Sequence, residues 1–470
     1  MRRVCVSNLK PGDALPLDLY SSHGLRLLPR SARLSDRLLD RLSRLGDEFL
    51  LAHDAEEIAR EGLLEPVDFC TVRAGGASRT PLISLGGRIV TEAGEVIDHQ
   101  HVDALNFGVF TLIESEPITH ARARRRLAEE LVASRVESWT EPDEFEPEFE
   151  PVTDIDWNAR ADDWPDPDEL IAWRNDRVAA LRSVYARVLA GLRVESFALD
   201  TIIEDLYGML QRSPSLFPQL ALLCPKRFDY LPDHAISVAA IGMAIAARAG
   251  WSNEHIRLAG FCGLTIDLGM MLLPQRIRTS AEFLSDVDRS RLTRHPSYSV
   301  WLLESISGTP EVARVAAYRH HERSDGTGYP HGLPGRRIEA MGRLVALADT
   351  AAALNEPRGF REPLLSHETI AEISALAREG KYDRQLTRHL VASTGVYPIG
   401  SFVLLSTERV AQVIGQSSEN PDRPIVRLVS EGDGASIGAI VDLSSFEPWE
   451  LSVLDGVAPP GVMLTTRRAG

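Results

Sequence analysis

Cysteine is scarce in this chain and scattered where it occurs. Cys5, Cys70, Cys224 and Cys262 include no CxxC pair, which excludes both a disulfide framework and a thiolate zinc site. The start, Met1-Arg2-Arg3, leads into mixed polar sequence and lacks the pattern of a secretory signal. No uncharged apolar stretch reaches membrane-spanning length, since the run from Ala259 to Pro274 is broken by Asp267. These absences predict a cytoplasmic protein. What remains is ordinary globular material, 44% hydrophobic and 25% charged, and 470 residues leave room for two to four domains.

The net charge of −16 is unevenly spread. Between Glu137 and Glu169, fourteen acidic residues face the single Arg160, so this segment carries −13 and leaves the remainder near −3. Pro142, Pro147, Pro151, Pro165 and Pro167 fall in the same stretch. Like charges and prolines cannot build a packed core, and a solvated linker is expected. Trp139, Phe145, Phe149, Trp157 and Trp164 are interleaved with the charges and leave open a short docking motif.

Before the linker runs a weak internal repeat. Arg26-Leu27-Leu28, Leu34-Ser35-Asp36 and Leu45-Gly46 return 62 residues later as Arg88-Ile89-Val90, Val96-Ile97-Asp98 and Phe107-Gly108. Each copy reads as a strand, a turn, a short helix capped by Ser35 or Asp98, and a further strand. From Leu170 onward the apolar residues take helical spacing, as in Leu181, Val184, Tyr185, Val188 and Leu192, and again in Ile236, Ala239, Ala240, Met243 and Ala247. After Ser393 the pattern turns to short strands at residues 400–405, 410–414 and 424–429, with a tail beyond Pro459. The expected architecture is multidomain. An α+β repeat module occupies residues 1–115, and a helix plus acidic linker residues 116–169. An all-α metal-binding bundle follows over 170–395, then a small β appendage over 396–456 and a tail over 457–470.

The chemistry concentrates in the helical part. His320-His321-Glu322 precede Arg323-Ser324-Asp325-Gly326-Thr327-Gly328-Tyr329-Pro330, so two imidazoles and two carboxylates lead into a Gly-Tyr-Pro turn. Neutral imidazoles ligate divalent transition metals, and neighbouring carboxylates hold their orientation. His234, Asp267, His295 and Asp349 lie on other helices beside apolar residues that face a core. A buried carboxylate such as Asp267 is costly unless it is paired or bound to a cation. Each residue alone could be a hydrogen-bonded core polar group. Six on one scaffold favour a metal site of the kind helical bundles build from inward-facing side chains.

These residues resemble the HD-GYP family, bacterial relatives of the HD metal-dependent phosphohydrolases, whose members typically hydrolyse cyclic di-GMP. The resemblance spans roughly Leu170 to Ser393. It rests on the run His320–Pro330 continuing into Gly332-Leu333-Pro334-Gly335, on His295-Pro296, on Ala348-Asp349 and on Arg358-Gly359-Phe360-Arg361. The repeat module and Val396-Tyr397-Pro398-Ile399-Gly400 also look like segments that flank such domains. The resemblance implies metal ligands at His234, Asp267, His295, His320, His321 and Asp349, with Asp267 as the bridging, catalytic carboxylate. It implies iron or manganese as the metal, and substrate contacts from Tyr329, Arg358 and Arg361. The implied partners are cyclic di-GMP or a related cyclic nucleotide and signalling proteins, with no DNA and no membrane; the oligomeric state stays open.

Several positions depart from that pattern. Where the family's His-Asp pair should stand, the chain reads Ile266-Asp267, and Met270 replaces the lysine that normally follows Gly269. An isoleucine cannot ligate a metal and a methionine cannot donate a proton. Tyr230 and Ala352 stand where acidic residues are common. One implied half-site therefore keeps Asp267, His295, His320 and His321, while the other keeps His234, Asp267 and Asp349 but lacks a histidine. Two functions stay in play: a degenerate member acting as a metal-binding receptor or scaffold, and an active metal-dependent cyclic di-GMP phosphodiesterase.

Overall fold

The computed structural model describes residues 1–113, 118–136, 139, 155, 157, 167–222, 231–278, 284–356, 363–417, 420–429 and 437–458. The chain divides into two compact units that do not follow chain order. One comprises Met1–Asp143, Ala179–Leu199 and Thr265–Tyr318; the other comprises Glu144–Val178, Asp200–Leu264 and Arg319–Gly470.

In the first unit the two repeats have the same topology. The first sheet runs Arg2–Cys5, Glu48–Ala52, Asp18–Tyr20, Arg26–Leu28, and the second runs Leu64–Pro66, Val109–Leu112, Leu82–Ser84, Ile89–Thr91, all antiparallel. Each copy carries a short helix, Asp36–Ser43 or His99–Leu105, whose cap accepts a backbone hydrogen bond at Ser35 or Asp98. Leu19, Leu28, Leu38, Leu42 and Phe49 close the first core, and Tyr20, Leu50, Ile58, Ile83 and Phe110 fill a second.

The matching arginines of the two repeats turn inward. Arg26 Nη1 donates to Gly191 O at 2.8 Å, Arg88 Nη1 donates to Val188 O at 2.8 Å, and Ser84 Oγ donates to Ala190 O at 2.6 Å. These carbonyls end the helix Pro167–Leu189, beyond its regular ladder, and Val188 O also accepts from Gly191 N at 2.9 Å. The repeat module supplies that cap, and Arg88 also lies 4.6 Å over the Trp301 ring.

The second unit holds the helices Leu231–Arg248, Ala340–Asn355, Ser366–Arg378 and Arg384–Thr394. Leu231–Arg248 is buried from Leu231 through Ala247, as an all-round apolar helix must be. Five strands follow as one antiparallel sheet ordered Ile440–Asp442, Ile425–Leu428, Val410–Gly415, Phe402–Leu405, Val453–Val457. Its first three strands in chain order fall where alternation predicts them; Ile440–Asp442 and Val453–Val457 do not show in the pattern because they are short and half-exposed. A mostly helical core with separate β-sheet regions is thus present.

Three expectations need correction. The helical region is not purely α, because Val194–Glu195 pairs in parallel with Ile306–Ser307. The acidic segment is not solvated throughout. Trp139 Nε1 donates to Glu311 at 2.7 Å and its ring meets Tyr318 edge-on at 5.7 Å, both within the first unit. In the second unit the Trp157 ring lies 4.9 Å from the Arg248 guanidinium and Ser215 Oγ donates to Trp157 O. Each half-buried ring gains packing and a polar contact that offset the local charge density. Phe145, Phe149 and Trp164 lie outside the described residues, as does the tail after Pro459. Finally, the stretch Asn253–Leu272 does have the length and mean hydropathy (1.2) of a membrane span, and 72% of it is buried inside the fold, so core packing accounts for its apolarity.

The capping role of the repeat arginines is testable. Arg88→Met keeps the stem but removes the bonds to Val188 O and Ser305 Oγ, while Val188 O keeps its bond from Gly191 N. Urea unfolding should show a loss of about 1–3 kcal/mol, and a change within about 0.5 kcal/mol, the range of an inert surface substitution, would remove the cap from the account.

Candidate metal centre and its supporting residues

Asp267 and His295 belong to the first unit; His234, His320, His321 and Asp349 belong to the second. Within the first unit, Asp267 directly precedes a short 3-10 helix, Leu268–Leu272, and His295 opens the helix His295–Leu303. Ser299, one turn after His295, ties the two together: its hydroxyl donates to Ile266 O at 2.5 Å and accepts from Gly269 N at 2.8 Å. Position 269 must be glycine, because a Cβ there would meet His295 O and come within 2.5 Å of Ser299 N. This backbone clasp sets His295 Nε2 3.2 Å from Asp267 Oδ1. His295 Nδ1 lies 2.6 Å from Leu292 O, so Nδ1 carries the proton and donates to the carbonyl. Nε2 then faces a carboxylate oxygen and needs a cation, proton or metal, between them.

Ile266 and Met270 are both buried in this same segment. Their side chains fill core volume and offer no donor, and the backbone clasp of the motif persists around them.

In the second unit His234 is fully buried and faces carboxylates on both sides. Asp349 Oδ1 lies 2.9 Å from Nε2, and the two Glu356 oxygens lie 2.9 and 3.0 Å from Nδ1. Burial pulls the imidazole's pKa down, but the Glu356 and Asp349 carboxylates outweigh it and raise the value from 6.5 to about 10. Without a metal, His234 is therefore an imidazolium at neutral pH. The first turn of its helix is pinned by Arg174, whose Nη1 donates to Asp233 Oδ1 at 2.7 Å and whose Nη2 donates to Asp233 O at 2.9 Å.

His320 and His321 follow the helix Glu311–Arg319 with their rings 4.0 Å apart. Glu322 is buried and accepts from His331 N at 2.7 Å and Leu333 N at 2.8 Å, which folds the Gly-Tyr-Pro turn back on itself. Gly328 lies so close to His321 O and Arg323 N that no Cβ fits. The Tyr329 ring, an implied substrate contact, stacks on His321 at 4.7 Å. Arg358 and Arg361 lie outside the described residues, as does Tyr230.

Glu356 and Arg174 were missed from the sequence. Glu356 had a signal, since it follows Asp349 by seven residues, just past the end of the helix Ala340–Asn355. Arg174 had none, being 59 residues from its partner.

The donors fit a hard or borderline divalent ion: imidazole nitrogens with ordered second partners and carboxylate oxygens, with no thiolate beside them among the described residues. The pH dependence of the metal-free protein tests the His234 arrangement. A folded pKa raised above the unfolded value contributes stability that is complete below about 6.5 and is lost as the pH rises toward about 10. In Glu356→Gln, stripped with chelator, that loss should shrink visibly when unfolding midpoints are followed from pH 6 to 10. Parallel profiles for the two proteins would contradict the assignment.

Residues 206–386 match the sequence profile of the HD domain family. Over 292 residues the chain is 26% identical to the cyclic di-GMP phosphodiesterase PA4108 of Pseudomonas aeruginosa, covering 59% of this chain and 70% of that one. It is 29% identical over 165 residues to 3'3'-cGAMP-specific phosphodiesterase 1 of Vibrio cholerae, covering 35% of this chain and 38% of that one. It is 32% identical over 132 residues to the cyclic di-GMP phosphodiesterase response regulator RpfG of Xanthomonas campestris, covering 28% and 35%. The last two similarities therefore span little more than a third of those relatives. Among solved structures, Bd1817 of Bdellovibrio bacteriovorus, an HD-GYP protein, aligns with 70% of this chain and 98% of its own at 13% identity and a TM-score of 0.39. HD domains use divalent metals, and the relatives named here act on cyclic dinucleotides. The match to the HD domain over residues 206–386 includes the motif His320–Pro330, and the chain is similar over that region to cyclic di-GMP phosphodiesterases.

Proposed function

We propose that this protein is a degenerate HD-GYP member: a metal-binding receptor or scaffold for cyclic di-GMP or a related cyclic dinucleotide, with little or no hydrolysis. The observation that carries the reading is Ile266. It is buried with its backbone held by Ser299, so the position of the family's histidine is kept while its chemistry is gone. Met270 repeats the pattern at the position of the lysine.

On this reading Asp267, His295, His320 and His321 hold one divalent ion, iron or manganese, and His234, Asp267 and Asp349 form a weaker second set. Leu292 O orients His295 through Nδ1, Glu356 orients His234, and Arg174 steadies the turn that carries it. A bound divalent ion would supply Lewis acidity toward a phosphoryl oxygen. Arg358 and Arg361 would hold phosphate oxygens, and Tyr329 would border the dinucleotide. Loss of one catalytic group commonly lowers turnover by about 10² to 10⁴, and here both a ligand and the leaving-group cation are missing.

A second reading, an active phosphodiesterase, draws support from the relatives, which share that activity by name, and from the retained Asp267. The two separate in one assay. Native protein should give negligible linear product from cyclic di-GMP, whereas Ile266→His combined with Met270→Lys should turn it over measurably. Asp267, Gly269 and Ser299 already hold the backbone that would present the new groups. Comparable turnover by the native chain, abolished in Asp267→Ala, would establish an atypical enzyme instead.

A further inference from the structure

The first unit contains a small polar cavity of about 170 Å³, lined among others by Arg26, Arg30, Arg193 and Arg314 with Asp18 and Glu304. It lies at the end of the helix Pro167–Leu189, beside Gly191. Four guanidiniums thus line it with two carboxylates, and Arg314 also pairs with Glu304 at 3.6 Å and with Glu311 at 3.1 Å. Asp18 accepts from Arg26 Nη1 at 3.0 Å and from Arg30 N at 2.7 Å; Glu304 accepts from Arg135 at 2.6 Å. The positive charge is left over. Arg26 Nη2 and Arg314 Nε are buried without a hydrogen-bond partner among the described residues. Arg30's side chain has neither hydrogen bond nor ion pair among those residues, and Arg193 donates only to the hydroxyl of Ser307.

Asp18, Glu304 and Glu311 pair with Arg26 and Arg314, so the charge left over sits on half-buried Arg30 and exposed Arg193, where an anion can reach it. The helix terminus does not supply one, because its carbonyls at Val188, Ala190 and Gly191 already accept from Arg88, Ser84 and Arg26. Guanidinium forks match the oxygens of tetrahedral oxyanions, and Arg30 and Arg193 are reachable from solvent, Arg193 with only its Nε engaged by Ser307. The volume falls below the roughly 300–1,000 Å³ of pockets that enclose drug-sized ligands, so it suits a single phosphate-sized group rather than a whole nucleotide.

We infer that this cavity binds a phosphate-class oxyanion, either inorganic phosphate or the terminal phosphate of a larger molecule, with Arg30 and Arg193 as the principal contacts. The inference stands apart from the metal centre, since none of the proposed metal ligands lines the cavity.

Calorimetric titration of the full chain with inorganic phosphate, at constant ionic strength in chloride buffer, tests it. About one phosphate per chain should bind saturably and raise the thermal midpoint. Arg30→Gln with Arg193→Gln should weaken binding about tenfold or more, given the strength of charge-assisted bonds. The control Arg44→Gln with Arg60→Gln, which removes the same charge from exposed helix positions, should leave it unchanged. Far-UV circular dichroism checks that each variant folds. A nucleoside monophosphate competing with the same arginine dependence would assign the phosphate to a larger ligand, and failure to compete would assign it to the free ion; both support the site. Absence of saturable binding, or equal weakening in the control, overturns it.

Discussion

A buried imidazole nitrogen without its proton cannot rest against a carboxylate oxygen unless a positive charge lies between them. This chain builds that situation within each of its units: His295 against Asp267, and His234 against Asp349 with Glu356 behind it. In both cases a second partner fixes the ring, Leu292 O for His295 and Glu356 for His234. Rings so constrained present one nitrogen in one direction, which is what a cation needs and what a merely structural histidine would not require.

The proposed loss of chemistry at Ile266 and Met270 falls in a segment whose backbone is tightly held. Ser299 still spans Ile266 O and Gly269 N, and Gly269 still allows the close approach to His295. Binding groups persist on the same terms: Glu322 still folds the Gly-Tyr-Pro turn through two backbone amides.

Much of this was legible in the sequence because the signals are local. The repeat shows in paired strand, cap and helix segments, and the two sheets share one strand order. The tandem histidines and Gly-Tyr-Pro turn announce themselves within eleven residues. What stayed hidden depends on pairings distant in the chain. Arg174 reaches Asp233 across 59 residues, and Arg88 reaches Val188 across 100. Periodicity records which face of an element is apolar, not which carbonyl a buried guanidinium will find. The acidic segment misled for a related reason: its charge argues for solvation on average, while Trp139 and Trp157 act singly through rings that find Tyr318 and Arg248.

The account stands or falls on an asymmetric metal centre, one complete ligand set and one short of a histidine. Elemental analysis of the native protein after anaerobic purification addresses this without reference to turnover. The account predicts a value near one divalent ion per chain, because imidazole and carboxylate donors in full complement outcompete a set missing a ligand. A firm value of two or more ions per chain would contradict it, since Ile266 would then have cost the centre nothing.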